Sequence, residues 1–89
     1  MGKKSRVHKK IKNPQIYLQI GSFARQNNAD HLQAQIAPLT KAQVQINNGT
    51  YHNKPIYKVQ IGPLASVEEN DHLQKLLTTK GLQSITVIK

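Results

Sequence analysis

Two copies of one short phrase dictate what this chain can fold into. Leu18-Gln19-Ile20-Gly21-Ser22-Phe23 returns 41 residues later as Val59-Gln60-Ile61-Gly62-Pro63-Leu64. At the same offset Asp30-His31-Leu32-Gln33 returns letter for letter as Asp71-His72-Leu73-Gln74, and Val44-Gln45-Ile46 aligns with Ile85-Thr86-Val87. Self-similarity at this period means one supersecondary unit used twice, and here the unit reads strand, helix, strand. It also puts Gln19 and Gln60 in equivalent places.

Alternation with period two identifies half-buried strands. Leu18 and Ile20 point one way; Tyr17, Gln19 and Gly21 point the other. Val44 and Ile46 alternate with Gln43, Gln45 and Asn47, and Tyr57, Val59 and Ile61 with Ile56, Lys58 and Gln60. In the last strand Ile85 and Val87 are expected inward, with Ser84, Thr86 and Ile88 outward. The second helix begins at a Ser66 cap, with Glu69 completing a capping box. Leu73, Leu76 and Leu77 form its apolar stripe, and Gly81 suits its end. The first helix has Asn27 or Asn28 as cap, a stripe of Ala29, Leu32 and Ile36, and a limit at Pro38. Asn47-Asn48-Gly49-Thr50 supplies turn chemistry between strands two and three, and Pro55 stands at the entry to the third strand, where a missing N–H is tolerated.

The resulting order, β-α-β-β-α-β, predicts an α+β domain of the ferredoxin-like, RNP-like kind. Two right-handed crossovers put both helices on one face of a four-stranded antiparallel sheet in the order 4-1-3-2. The expected core is Leu18, Ile20, Leu32, Ile36, Val44, Ile46, Val59, Ile61, Leu73, Leu76, Leu77, Ile85 and Val87. Eighty-nine residues suffice for one such domain. The formal charge of +9 is uneven, because Lys3, Lys4, Arg6, Lys9, Lys10 and Lys12 precede a remainder with seven basic and four acidic residues. Residues 1–13 are expected as a basic disordered tail or linker, or as a polybasic arm for nucleic acid or anionic lipid. Residues 14–89 form the domain. No apolar run reaches the roughly 18 residues of a membrane span, and no signal-peptide h-region follows the basic start. With no cysteine there is no disulfide and no thiolate metal site. The chain reads as a domain cut from a longer protein.

The second face of the sheet is left uncovered by helices. Parity assigns it Tyr17, Gln19, Gln43, Gln45, Ile56, Lys58, Gln60, Ser84, Thr86 and Ile88, a surface rich in amides and hydroxyls. Amides donate and accept at once, which suits a ligand covered in hydroxyl and acetamido groups. A merely solvated face is the plain alternative, although such a face usually carries more Lys and Glu.

Tyr17-Leu18-Gln19-Ile20-Gly21-Ser22-Phe23, the Asn-Ala-Asp start of a helix, and Ile56-Tyr57-Lys58-Val59-Gln60-Ile61-Gly62-Pro63-Leu64 together resemble a SPOR (sporulation-related repeat) domain over residues 14–89. The resemblance implies a non-catalytic module that binds bacterial peptidoglycan, in particular glycan strands lacking stem peptides. It implies localisation of a host protein to the septum or cell wall. That host would be a longer exported or membrane-anchored protein of the bacterial cell envelope, in the periplasm or cell wall. Gln19 and Ser22 match the polar positions of the family's first strand motif, and Phe23 its aromatic. Lys58 stands where the family usually has Arg, a point charge in place of a planar fork. Ile56 stands where some members have an aromatic, which leaves Tyr17 as the better stacking residue. The expected glycan-binding set is Tyr17, Gln19, Ser22, Phe23, Ile56, Lys58, Gln60 and Thr86. No cofactor, no membrane insertion within the chain, no specific nucleic acid and a monomeric state are expected.

Other constellations are weaker. His31 and His72 lack His-x-x-x-His or Glu-x-x-His spacing, so no metal site is expected. Asp30, Glu68, Glu69 and Asp71 fall in first turns of helices, where the dipole favours them without catalysis. No nucleophile–base pair or phosphate loop is present, and no enzyme is expected within these residues. The main rival is RNA binding by an RNA-recognition-motif-like domain, which uses the same open face but needs aromatics on both central strands. A ferredoxin-like protein-interaction domain is the third reading.

Overall fold

The computed structural model describes residues 14–89, so the expected basic tail, residues 1–13, lies outside the described residues. Strand β1 is Ile16–Phe23, α1 Gln26–Ile36, β2 Val44–Tyr51, β3 Lys54–Leu64, α2 Val67–Thr79 and β4 Ile85–Ile88. A 3₁₀ turn, Ala37–Leu39, follows α1 at Pro38. All pairings are antiparallel and the sheet order is β2-β3-β1-β4, the expected topology with β1 and β3 at the centre. Leu18, Ile20, Val59, Ile61 and Leu64 from the sheet bury against Ala29, Leu32, Ile36, Leu73 and Leu77 of the helices.

Two register shifts between β1 and β3 decide which side chains face where. Leu18 pairs with Ile61 and Ile16 with Leu64, so β3 holds one extra residue around Gly62 and Pro63. That shift carries Leu64 into the core, a position strict alternation from Ile61 excludes. Gln19 pairs with Gln60 but Gly21 with Val59, so Ile20 is an extra residue on β1. A bulge of this kind resets the alternation beyond it. Gly21 therefore faces the helices, contrary to the expectation of an outward Gly21. A Cβ there would lie 2.8 Å from the Phe23 ring and 2.9 Å from Leu32 Cδ2.

Three further expectations are corrected. The hairpin does not turn at Asn47-Asn48-Gly49-Thr50; those residues lie in β2, opposite Lys58, Tyr57, Ile56 and Pro55. The turn is His52-Asn53, both at positive φ of 51° and 64°, the handedness that matches strand twist. The first helix starts earlier than Asn27 or Asn28. Its N-cap is the extended Arg25 with no side-chain cap bond, because only Ala24 and Arg25 separate it from β1. Finally, β4 has the opposite parity. Leu18 pairs with Thr86 and Tyr17 with Val87, so Thr86 faces the helices while Ile85 and Val87 join the open face. Asn70 of α2, only 6% exposed, is the reason. Its amide and the Thr86 hydroxyl exchange hydrogen bonds of 3.2 and 3.3 Å, and a buried amide without such a partner is costly. The expected cap of α2 forms at Ser66, whose Oγ accepts from the Glu69 N–H, while Glu69 Oε1 reaches one residue past it to accept from the Ala65 N–H.

Candidate functional site

At the centre of the open face, a glutamine expected to be a contact residue is almost sealed. Gln60 is 3% exposed. Its Nε2 donates to Gln19 Oε1 at 3.0 Å, and its Oε1 accepts from Asn47 Nδ2 at 2.6 Å and from Lys89 Nζ at 3.0 Å. The repeat places the two glutamines directly opposite each other on β1 and β3, so their bond crosses the ladder. The row Asn47–Gln60–Gln19 is therefore a hydrogen-bonded relay whose middle member orders the outer two. Gln19 and Asn47 remain half-buried and reachable.

Tyr17 lies on the same face but is buried, with 8% of the residue exposed. The ring lies close to Gly62, where a Cβ would come within 2.6 Å of Tyr17 Cδ2. Lys89 Nζ stands over the ring, 4.6 Å from its centroid. The hydroxyl donates to Gln15 Oε1 at 3.0 Å. Lys89 occupies the Tyr17 ring face in this arrangement, so stacking by Tyr17 requires that side chain to move aside.

The Ile20 bulge brings Gln19 and Ser22 to one side. Three residues apart, they would alternate to opposite faces of a regular strand; the extra residue restores them. Ser22 pairs with Lys58, and both face outward. The Lys58 stem crosses Gly49, whose absent Cβ would sit 3.3 Å from Lys58 Cε and 3.6 Å from Ile56. Glycine in the middle of β2 thus provides the space in which Lys58 and Ile56 lie. Phe23 pairs with Tyr57, and both rings pack against the core on the helix side. Phe23 and Thr86, both expected in the site, are thus apart from the open face.

Lys89 is the residue that the sequence pattern did not single out. Its backbone exchanges two hydrogen bonds with Gln15, of 2.9 and 3.0 Å, and so extends the β1–β4 ladder. It shares the open face with Val87 and Tyr17. Read with the correct parity of β4, alternation from Val87 finds it. At the start of β4, an open groove of about 1000 Å³ runs between β1 and α2, lined by Gln19 and Ser22 on one side and Gln74 and Lys75 on the other. The two β1 side chains thus border both the sheet face and this groove. Among the described residues no cluster of three or more His, Cys, Asp or Glu side chains comes together, and no helix is long and apolar enough to cross a membrane.

The family model for the SPOR domain matches residues 12–88. The chain belongs to the SPOR family. It is similar to the endolytic peptidoglycan transglycosylase RlpA of Pseudomonas aeruginosa, in strains UCBPP-PA14 and PAO1, with 28% identity over 74 residues. The match takes in 83% of this chain but 22% of RlpA, so the chain spans about a fifth of that enzyme's length. The crystal structure of the RlpA SPOR domain from P. aeruginosa matches with a TM-score of 0.78 at 29% identity, over 81% of this chain and 96% of that one. The solution structure of the peptidoglycan binding domain of the B. subtilis cell wall lytic enzyme CwlC is alike in fold, with a TM-score of 0.64 at 24% identity over 93% and 99% of the two chains. In this SPOR domain the strand motif Gln19-Ile20-Gly21-Ser22 has a physical meaning. Ile20 is the bulge, Gly21 makes room for Leu32 and Phe23, and the two polar residues emerge side by side.

Proposed function

We propose that this SPOR domain is a non-catalytic module that binds bacterial peptidoglycan, reading glycan strands without stem peptides on the open face of its sheet. Family membership and the likeness to the RlpA SPOR domain support the ligand class. The observation that carries the choice of face is the relay Asn47–Gln60–Gln19, a row of oriented amides flanked by Ser22 and Lys58. Loss of the peptide from a muramic acid frees its lactyl carboxylate, so a stripped strand is a polyanion with regularly spaced acetamides. Gln19, Asn47 and Ser22 read acetamide and hydroxyl groups, Lys58 meets a carboxylate, and Ile56 lies against the apolar face of a sugar. Gln60 acts through its neighbours. Each neutral hydrogen bond contributes about 1 kcal/mol net, so binding needs several at once. The domain would act as a monomer and hold a longer envelope protein at the septum or cell wall.

RNA binding is less well supported. Of the aromatics on the two central strands, Phe23 and Tyr57 face the helices and Tyr17 alone lies on the open face, beneath Lys89, whereas base stacking needs aromatics on both central strands. Titrating ¹⁵N-labelled protein with amidase-stripped glycan and with oligo-U at two salt concentrations tests the assignment. The glycan should move the resonances of Gln19, Ser22 and Lys58 and should lose less affinity in salt than oligo-U does. Unmoved resonances, or a stronger response to oligo-U, would overturn it. Lys58→Glu should abolish retention on amidase-treated sacculi.

A further inference from the structure

We propose that Lys89 is a second carboxylate-binding cation of this face, and that with Lys58 it makes the site select two acidic sugars on one strand. The inference rests on the glycan reading above and deepens it.

The acidic residues of the domain are confined to one of its two layers. All four acidic residues lie on the helices, Asp30 on α1 and Glu68, Glu69 and Asp71 on α2. Lys58 and Lys89 stand on the opposite layer, and no acidic side chain shares their face among the described residues. They bracket the amide relay. Lys58 is two residues from Gln60 along β3, about 7 Å of strand, and Lys89 Nζ touches Gln60 from the β4 side. A polymer with an acid on every second sugar, laid across the relay, presents neighbouring acids to the two ammonium groups.

The present partners of Lys89 are neutral. Gln60 Oε1 is an amide oxygen that already accepts from Asn47 at 2.6 Å, and the Tyr17 ring offers only its π-face. A carboxylate is a stronger acceptor for an ammonium group than either. The backbone of Lys89 is fixed by its two bonds to Gln15, so the side chain alone needs to swing. As it leaves, it uncovers the Tyr17 ring and the Gln60 amide. A carboxylate bound by Lys89 thereby opens a sugar-stacking surface that the free protein keeps closed.

The test compares two ligands of equal length, a stripped glycan oligosaccharide and the same oligosaccharide with its lactyl carboxylates converted to amides. Lys89→Met keeps the stem and removes the charge; Lys89→Arg keeps the charge. Lys89→Met should weaken binding of the acidic ligand about tenfold and leave the amidated ligand within about twofold, while Lys89→Arg stays near the wild type on both. Equal losses on both ligands would make Lys89 a cover for Gln60 and Tyr17 without a role in charge recognition. No change on either ligand would remove it from the site. In both cases the wild type still binds and the glycan reading stands. A wild type that ignores the acidic ligand altogether would sink that reading and this one together. Unfolding midpoints of both variants, measured alongside, should match the wild type because Lys89 is exposed.

Discussion

Replacing Gln60 with alanine separates a residue that orders the site from one that merely touches ligand. Three hydrogen bonds end on this side chain, to Gln19, Asn47 and Lys89. At about 1 kcal/mol net each, their loss sets a ceiling near 3 kcal/mol. Lys89 is exposed and regains water in full, while Gln19 and Asn47 are half-buried. The expected loss for Gln60→Ala is then about 2 kcal/mol, which in a domain of this size lowers Tm by about 8–16 °C. Gln19→Ala forfeits one bond and should cost at most about 1 kcal/mol. The double variant should show a coupling of about 1 kcal/mol between the two positions. Chemical and thermal unfolding measure all three, with an unchanged m-value as the check that the unfolded state is the same. If Gln60→Ala melts within about 2 °C of the wild type, the relay contributes nothing to the fold, and the argument that Gln60 orders its neighbours fails.

Other substitutions probe the frame around the site. Gly21→Val forces a branched side chain against Phe23 and Leu32 and should cost about 1–3 kcal/mol by overpacking, seen as a lower denaturant midpoint. Asn70→Ala removes the reciprocal pair with Thr86 and should cost about 1–2 kcal/mol, with faster amide exchange along β4 than along β3. Ser66→Ala deletes the cap on the Glu69 N–H and should lower stability by about 1 kcal/mol without touching glycan affinity.

Much of this architecture was legible because alternation and repetition are strong local signals. Period two alone places Leu18, Val59 and Ile61 in the core, and the β-α-β-β-α-β order with right-handed crossovers leads to the sheet order. Failures arose where a long-range contact overrode the local pattern. Nothing in Gln19-Ile20-Gly21-Ser22 announces an extra residue; the bulge follows from Leu32 and Phe23 needing the space at Gly21. The parity of β4 was read from Ile85 and Val87 as apolar residues, but the buried amide of Asn70 demanded Thr86 as a partner. That one inversion hid Lys89 and promoted Thr86. The Asn-Gly pair at 48 and 49 is the stronger turn signal in isolation, yet the register that pairs Gln45 with Gln60 leaves the turn to His52 and Asn53.

The single surplus residue at Ile20 changes what counts as a signature in this strand. What has to be kept is the count of positions between the two polar groups, more than the side chain in the middle. Deleting one residue between Gln19 and Ser22 would leave both chemical groups in the chain and turn one of them toward the wrong layer. Ile20→Val, by contrast, would leave the presented surface as it is.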